Sequence, residues 1–104
     1  MSAILVLVTT PNARVATRLA KILVRQKLAA CVSFKEDFAS VYSWKGKIEN
    51  QKETLLLIKT LKSRFRKLRS CIEANHPYEV PEILSFSVSQ ASKRYLHWIK
   101  KTVK

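Results

Sequence analysis

Ala3-Ile4-Leu5-Val6-Leu7-Val8-Thr9 is a continuous apolar run without alternation. Such a run reads as a strand covered on both faces. A second run, Glu53-Thr54-Leu55-Leu56-Leu57-Ile58-Lys59-Thr60, has the same character. Pro11 and Asn12 break the first run, and Asn12 suits the N-cap of a helix over about 13–27. In that helix Val15, Leu19, Ile22 and Leu23 share a face, with Arg14, Arg18, Lys21 and Arg25 off it. Residues 29–44 read as a strand, or as a strand with a kink at the charged patch Lys35-Glu36-Asp37. Gly46, the only glycine, sits with Lys45 where a two-residue hairpin requires positive φ. That turn pairs Trp44 with Lys47 and Tyr42 with Glu49.

Ser63 is placed to cap a helix over 64–75 with Phe65, Leu68 and Ile72 inward. The strip His76-Pro77-Tyr78-Glu79-Val80-Pro81-Glu82 follows. A residue before proline leaves the α region, so the helix is expected to stop at His76. A strand over 83–88 alternates Leu84, Phe86 and Val88 against Ser85 and Ser87. A last helix over about 92–102 carries Tyr95, Trp98 and Ile99 on one side. The order is β-α-β-β-α-β plus a terminal helix, an α+β, ferredoxin-like arrangement. Both main helices then lie on one face of the sheet. The two central strands are apolar on both faces, so the other face needs a cover. In a chain of 104 residues, read as one domain over 1–104, that cover is expected from another copy.

The chain carries 20 Lys and Arg against 7 Asp and Glu, a formal net charge of +13. Such a balance favours an anionic partner, although a solvated basic surface has the same composition. The start lacks the charged n-region and the long apolar core of a secretory signal. No run approaches the ~20 apolar residues of a membrane span. A cytoplasmic location with no membrane span is the expectation. Cys31 and Cys71 lack CxxC spacing and sit in apolar contexts, so both are expected to be free thiols.

The chain resembles the CutA family of divalent-cation tolerance proteins. The resemblance rests on Val8-Thr9-Thr10-Pro11-Asn12, Leu28-Ala29-Ala30-Cys31-Val32 and Tyr42-Ser43-Trp44-Lys45-Gly46-Lys47-Ile48-Glu49. It continues through Leu56-Leu57-Ile58-Lys59-Thr60, His76 to Ile83, and Tyr95-Leu96-His97-Trp98-Ile99. It implies a ferredoxin-like subunit in a homotrimer, similar in build to PII signalling proteins. It also implies an association with copper and other divalent cations, and no catalytic reaction. Some members form a copper site from a cysteine at the Val8 position, a histidine at the Asn75 position and the next histidine. Here only His76 of that trio is present. Ser33, Lys35-Glu36-Asp37 and Ser43 also depart from the family pattern.

The candidate metal ligands are His76 and Cys31, with a divalent cation such as copper as cofactor. If the strip is extended, Tyr78 and Glu82 project with His76, and Glu79 to the other side. Tyr42, Trp44, Lys59, Tyr78, Glu79 and Trp98 resemble residues lining a cleft between subunits in the family. Aromatic walls and one lysine would suit a small anion or polar metabolite. The same aromatics would also serve as packing at a subunit seam.

Two other classes of function compete. An RNA-recognition module shares this strand order but needs aromatics on the central strands, and 3–9 and 53–60 contain none. Phosphate contacts through Arg64, Arg66, Lys67, Arg69, Lys100, Lys101 and Lys104 would give binding that weakens steeply with salt. A phosphate-processing enzyme on this fold needs a glycine-rich cradle, which a single glycine does not supply.

Overall fold

The structure is a computed structural model that describes residues 2–103. Strand β1 spans Ala3–Thr10 and helix α1 spans Ala13–Arg25. Strands β2, Cys31–Trp44, and β3, Lys47–Leu61, form a long hairpin. A 3-10 turn at Lys62–Arg64 leads into α2, Phe65–Asn75. Strand β4 is Ile83–Ser87 and helix α3 is Lys93–Thr102. The sheet order is β2-β3-β1-β4, every neighbouring pair antiparallel. This is the ferredoxin-like arrangement expected from the element order.

The Asn12 side chain accepts from the Val15 N–H at 2.9 Å and starts α1. The helix stops at Arg25, two residues earlier than expected. Lys27 takes the left-handed conformation at φ 60°, and the Leu28 N–H reaches back to the Leu23 carbonyl. That bond closes the helix end as a Schellman turn. The expected Ser63 cap is absent. Ser63 lies inside the 3-10 turn, and α2 begins without a side-chain cap bond. The 3-10 turn itself winds the chain into α2.

The core is built by alternation. Ile4, Val6 and Val8 of β1 and Leu56 and Ile58 of β3 face Ala16, Leu19 and Leu23 of α1 and Leu68 and Ile72 of α2. Each buried aliphatic side chain contributes about 1.5–3 kcal/mol. The opposite face of the same strands is also apolar, and Leu5, Leu7, Leu55 and Leu57 there are only half-buried. On β4, Leu84 and Phe86 pair in register with Leu7 and Leu5 and stay about half exposed, at 48% and 49%. Helix α3 covers one corner of this face, where Ile99 and Val103 pack on Ala3 and Leu61.

The β2–β3 hairpin extends beyond the four-stranded sheet. Strand β1 pairs with β3 only from Thr54 to Leu61, so residues 38–53 form a two-stranded arm. Lys45 and Gly46, at φ 50° and 79°, make its turn, and Trp44 and Tyr42 pair with Lys47 and Glu49. The kink at Lys35-Glu36-Asp37 is a β-bulge between Lys35 and Phe38, with Asp37 left-handed at φ 58°. A bulge adds one residue to one strand. It therefore exchanges the faces of β2. Before it Cys31, Ser33 and Lys35 share the helix-free face; after it Phe38, Ser40, Tyr42 and Trp44 do.

Candidate functional site

The strip after α2 does not run extended. His76 closes the helix in an extended conformation, but Pro77–Val80 bend. The cause is local: the Tyr78 N–H donates to His76 Nδ1 at 3.1 Å and curls the chain over the ring. His76 Nε2 in turn donates to the Thr9 carbonyl at 2.8 Å, holding the strip to the end of β1. With Nδ1 accepting from an N–H, the proton sits on Nε2. Both ring nitrogens are thus engaged, and the imidazole is buried. The bend also overturns the expected division of side chains, because Tyr78, Glu79 and Glu82 all face one cleft.

That cleft lies between the arm and the strip, with a volume of about 660 Å³. Phe38, Tyr42 and Trp44 line it from β2, and Pro77, Tyr78 and Glu79 from the strip. Glu53 of β3 forms part of its base and is only 6% exposed. The Tyr78 hydroxyl donates to Glu53 Oε2 at 2.6 Å. Burial, and then the bond to Glu53, hold the Tyr78 phenol well above its ordinary pKa.

A second cluster lies on the helix-free face of the sheet. Lys59 Nζ donates to Ser33 Oγ and approaches Cys31 Sγ at 3.8 Å. Tyr95 of α3 reaches the same thiol; burial, then Cys31, raise its pKa. Trp98 stacks on Tyr95 with ring centroids 5.6 Å apart. Both cysteines are free, and burial pushes the Cys71 thiol up.

Comparison with known proteins places this geometry. The CutA1 divalent ion tolerance protein family matches residues 4–102. The chain belongs to the CutA1 family. It is 41% identical over 96 residues to the divalent-cation tolerance protein CutA of Thermus thermophilus, covering 92% of this chain and 93% of that one. It is 41% identical to the chloroplastic CutA of Arabidopsis thaliana over 97% of this chain and 42% identical to human CutA over 90%. It spans only 56% and 52% of those two longer proteins. Among solved structures, CutA1 from Oryza sativa superposes with TM-score 0.97 at 38% identity, covering 100% of this chain and 95% of that one. The T. thermophilus protein gives 0.95 at 38% identity, covering 98% and 99%.

Within one subunit of the CutA1 fold the expected site residues fall into two groups, whereas the resemblance implies a cleft shared between subunits. Tyr42, Trp44, Tyr78 and Glu79 come together in the cleft. Lys59 and Trp98 do not line it; they belong with Cys31 and Tyr95. His76 and Cys31 form no common cluster, and among the described residues no three of His, Cys, Asp and Glu converge as metal ligands. A metal on His76 would have to displace either the Thr9 or the Tyr78 backbone bond. Sequence reasoning missed Glu53 and Phe38. The signal for Glu53 was a carboxylate at the head of an apolar strand, which needs a partner when buried.

Proposed function

We propose that this CutA1 chain acts in divalent-cation tolerance as a homotrimer whose helix-free sheet faces pack together. The role is supported by the family and by relatives named for divalent-cation tolerance. The observation that carries the assembly is the row of Leu5, Leu7, Leu57, Leu84 and Phe86. These are apolar, adjacent in register and under-covered within one subunit. Two twisted sheets packed about 10 Å apart would bury such faces. Analytical ultracentrifugation at micromolar concentration tests it: a trimer is expected, and a monomer would end the proposal.

The cleft beside the arm is its ligand site, and its role is binding rather than catalysis. PII-like signalling is the reading that joins a trimer to such a cleft. A copper ion held through His76 and Cys31 is the metal form of the proposal, and it requires rearrangement of the His76 bonds. Calorimetry with copper and zinc, on the parent and on Cys31→Ser, tests it. The cytoplasm is the proposed location, and no helix among the described residues is long and apolar enough to cross a membrane.

One observation favours a second reading, a trimeric module for nucleic acid or another polyanion. Among the described residues the only ion pair is Arg69–Glu73, so most of the basic side chains carry no carboxylate partner. Binding to a DNA duplex that falls steeply with salt supports it; no binding at low salt rejects it.

A further inference from the structure

The helical layer carries most of the excess charge. Segments 11–28 and 62–76, which hold α1 and α2, contain ten of the 20 Lys and Arg but only one of the 7 Asp and Glu, Glu73. Every arginine except Arg94 is among them. This layer lies on the side of the sheet opposite the apolar face of Leu5, Leu7 and Phe86, so an assembly through that face leaves it outside.

On α1 the charges are ordered. Arg14, Arg18, Lys21 and Arg25 recur at intervals of four, three and four residues. At about 100° and about 1.5 Å per residue they share a stripe about 60° wide and about 16 Å long. Ala16, Leu19, Ala20 and Leu23 are the buried face of the same helix, so the stripe is its outer crest. No carboxylate lies on α1. At its end the crest meets a groove of about 520 Å³ whose lining includes Gln26, Arg66, Lys67 and Ser70. The groove carries the positive track onto the start of α2.

Helix stability does not account for this pattern. Like charges four residues apart, as in Arg14–Arg18 and Lys21–Arg25, repel. Cations in a first turn oppose the helix dipole. Yet Arg14 stands in the first turn of α1, and Arg66 and Lys67 in that of α2, with no acidic residue in either. Among the described residues Arg69 pairs with Glu73, and Arg18 donates to the Asn75 carbonyl at 3.0 Å. Arg14, Lys21, Arg25, Arg66 and Lys67 have no carboxylate partner there.

The surroundings decide between anionic partners. A lipid surface takes up apolar side chains beneath the charges. Of the exposed large apolar residues only Val24 belongs to α1 or α2. A single strand is held by stacking its bases on aromatic rings. The one aromatic of α1 and α2, Phe65, packs against the core. A duplex presents phosphates outward with its bases turned in, and it needs neither.

We propose that the crest of α1, continued by Arg66 and Lys67, docks on the phosphate backbone of double-stranded nucleic acid. The proposal rests on the polyanion reading above and names its surface and its form of partner.

The test compares the full chain with Lys21→Gln/Arg25→Gln and with Lys100→Gln/Lys101→Gln, which removes the same charge from α3. Binding to a DNA duplex of about 20 base pairs, to one of its strands and to phosphatidylserine-containing vesicles is followed as salt rises. The parent is expected to hold the duplex several-fold more tightly than either other probe. Lys21→Gln/Arg25→Gln should bind the duplex about ten-fold more weakly, with a salt slope shallower by about two for each copy engaged. The α3 variant should keep the parent's slope. Gln is a good helix former at these exposed sites, so the variants should fold, and Arg66→Gln/Lys67→Gln repeats the reading at the other end of the track. Equal losses in the α1 and α3 variants, or none in the α1 variant, overturn the proposal and leave the polyanion reading standing. Tighter binding of the single strand or of the vesicles overturns it in favour of that partner. No duplex binding at low salt ends both ideas.

Discussion

The Tyr78 hydroxyl donates a 2.6 Å hydrogen bond to the Glu53 carboxylate and fastens the bent strip after α2 to the base of the hairpin arm. The bond is short, as charge-assisted O–H···O bonds are. It ties together two segments that the backbone ladder leaves unconnected: the strip before β4 and the part of β3 beyond its pairing with β1. The shape of the cleft depends on it.

Tyr78 should make stability depend on alkaline pH. Its phenol ionises at higher pH in the folded chain than in the unfolded chain, because of burial and then Glu53. The unfolded state therefore releases its proton first. The Tyr78 contribution is whole below the ordinary value of 10.0 and is lost as pH rises from there through the folded value. Urea midpoints measured on each side of that value should fall on the alkaline side, and fall less in Tyr78→Phe. An equal fall in both proteins would acquit this pair. At neutral pH, Tyr78→Phe should cost about 1.5–3 kcal/mol, the range for a hydrogen bond to a charged group.

His76→Ala should be destabilising whatever its effect on ligands. It strips partners from the Thr9 carbonyl and the Tyr78 N–H at a buried site. An unpaired buried group costs about 1–3 kcal/mol. Urea unfolding should show a lower midpoint with little change in slope. A variant as stable as the parent would mean that the ring does not hold the strip to β1.

At the tip of the arm, Gly46→Ala should destabilise through backbone strain alone. A Cβ there meets nothing within 4 Å, but φ is 79°. The left-handed conformation costs a residue with a Cβ about 1–2 kcal/mol. Lys45→Asn should act the other way, since Asn tolerates φ near 50° better than Lys. Amide exchange in residues 38–53 reads both; faster exchange in Lys45→Asn would contradict the turn assignment.

Phe86→Asp should dissociate the proposed trimer without unfolding the subunit. Phe86 lies on the helix-free face at 49% exposure, outside the core between sheet and helices. The expected result is a monomer in sedimentation with far-UV circular dichroism retained. A trimer that persists would place the interface elsewhere.

Much of this was legible in the chain because the signals were local. Asn12 reads as a cap, Lys45-Gly46 as a turn and His76-Pro77 as a helix stop, and each occurs. The Ser63 cap failed because a 3-10 turn entered α2 by another route. The resemblance implies one cleft between subunits for Tyr42, Trp44, Lys59, Tyr78, Glu79 and Trp98; within one subunit Tyr42, Trp44, Tyr78 and Glu79 lie together, and Lys59 and Trp98 lie near Cys31 and Tyr95. Glu53 was invisible as a site residue because its role depends on Tyr78, 25 positions away.

The sequence alone determined the element order, the two-sided apolar strands and hence a sheet with one face left to cover. Those follow from periodicity and from the fixed geometry of proline, glycine and caps, which act within a few residues. Only the tertiary structure decided which side of β2 carries its aromatics, how the strip bends over His76, and that Glu53 meets Tyr78. Each turns on a count or a contact between distant segments. One extra residue at the bulge inverts a face, and the bonds of His76 to Thr9 and Tyr78 decide where the strip carries Glu79 and Glu82.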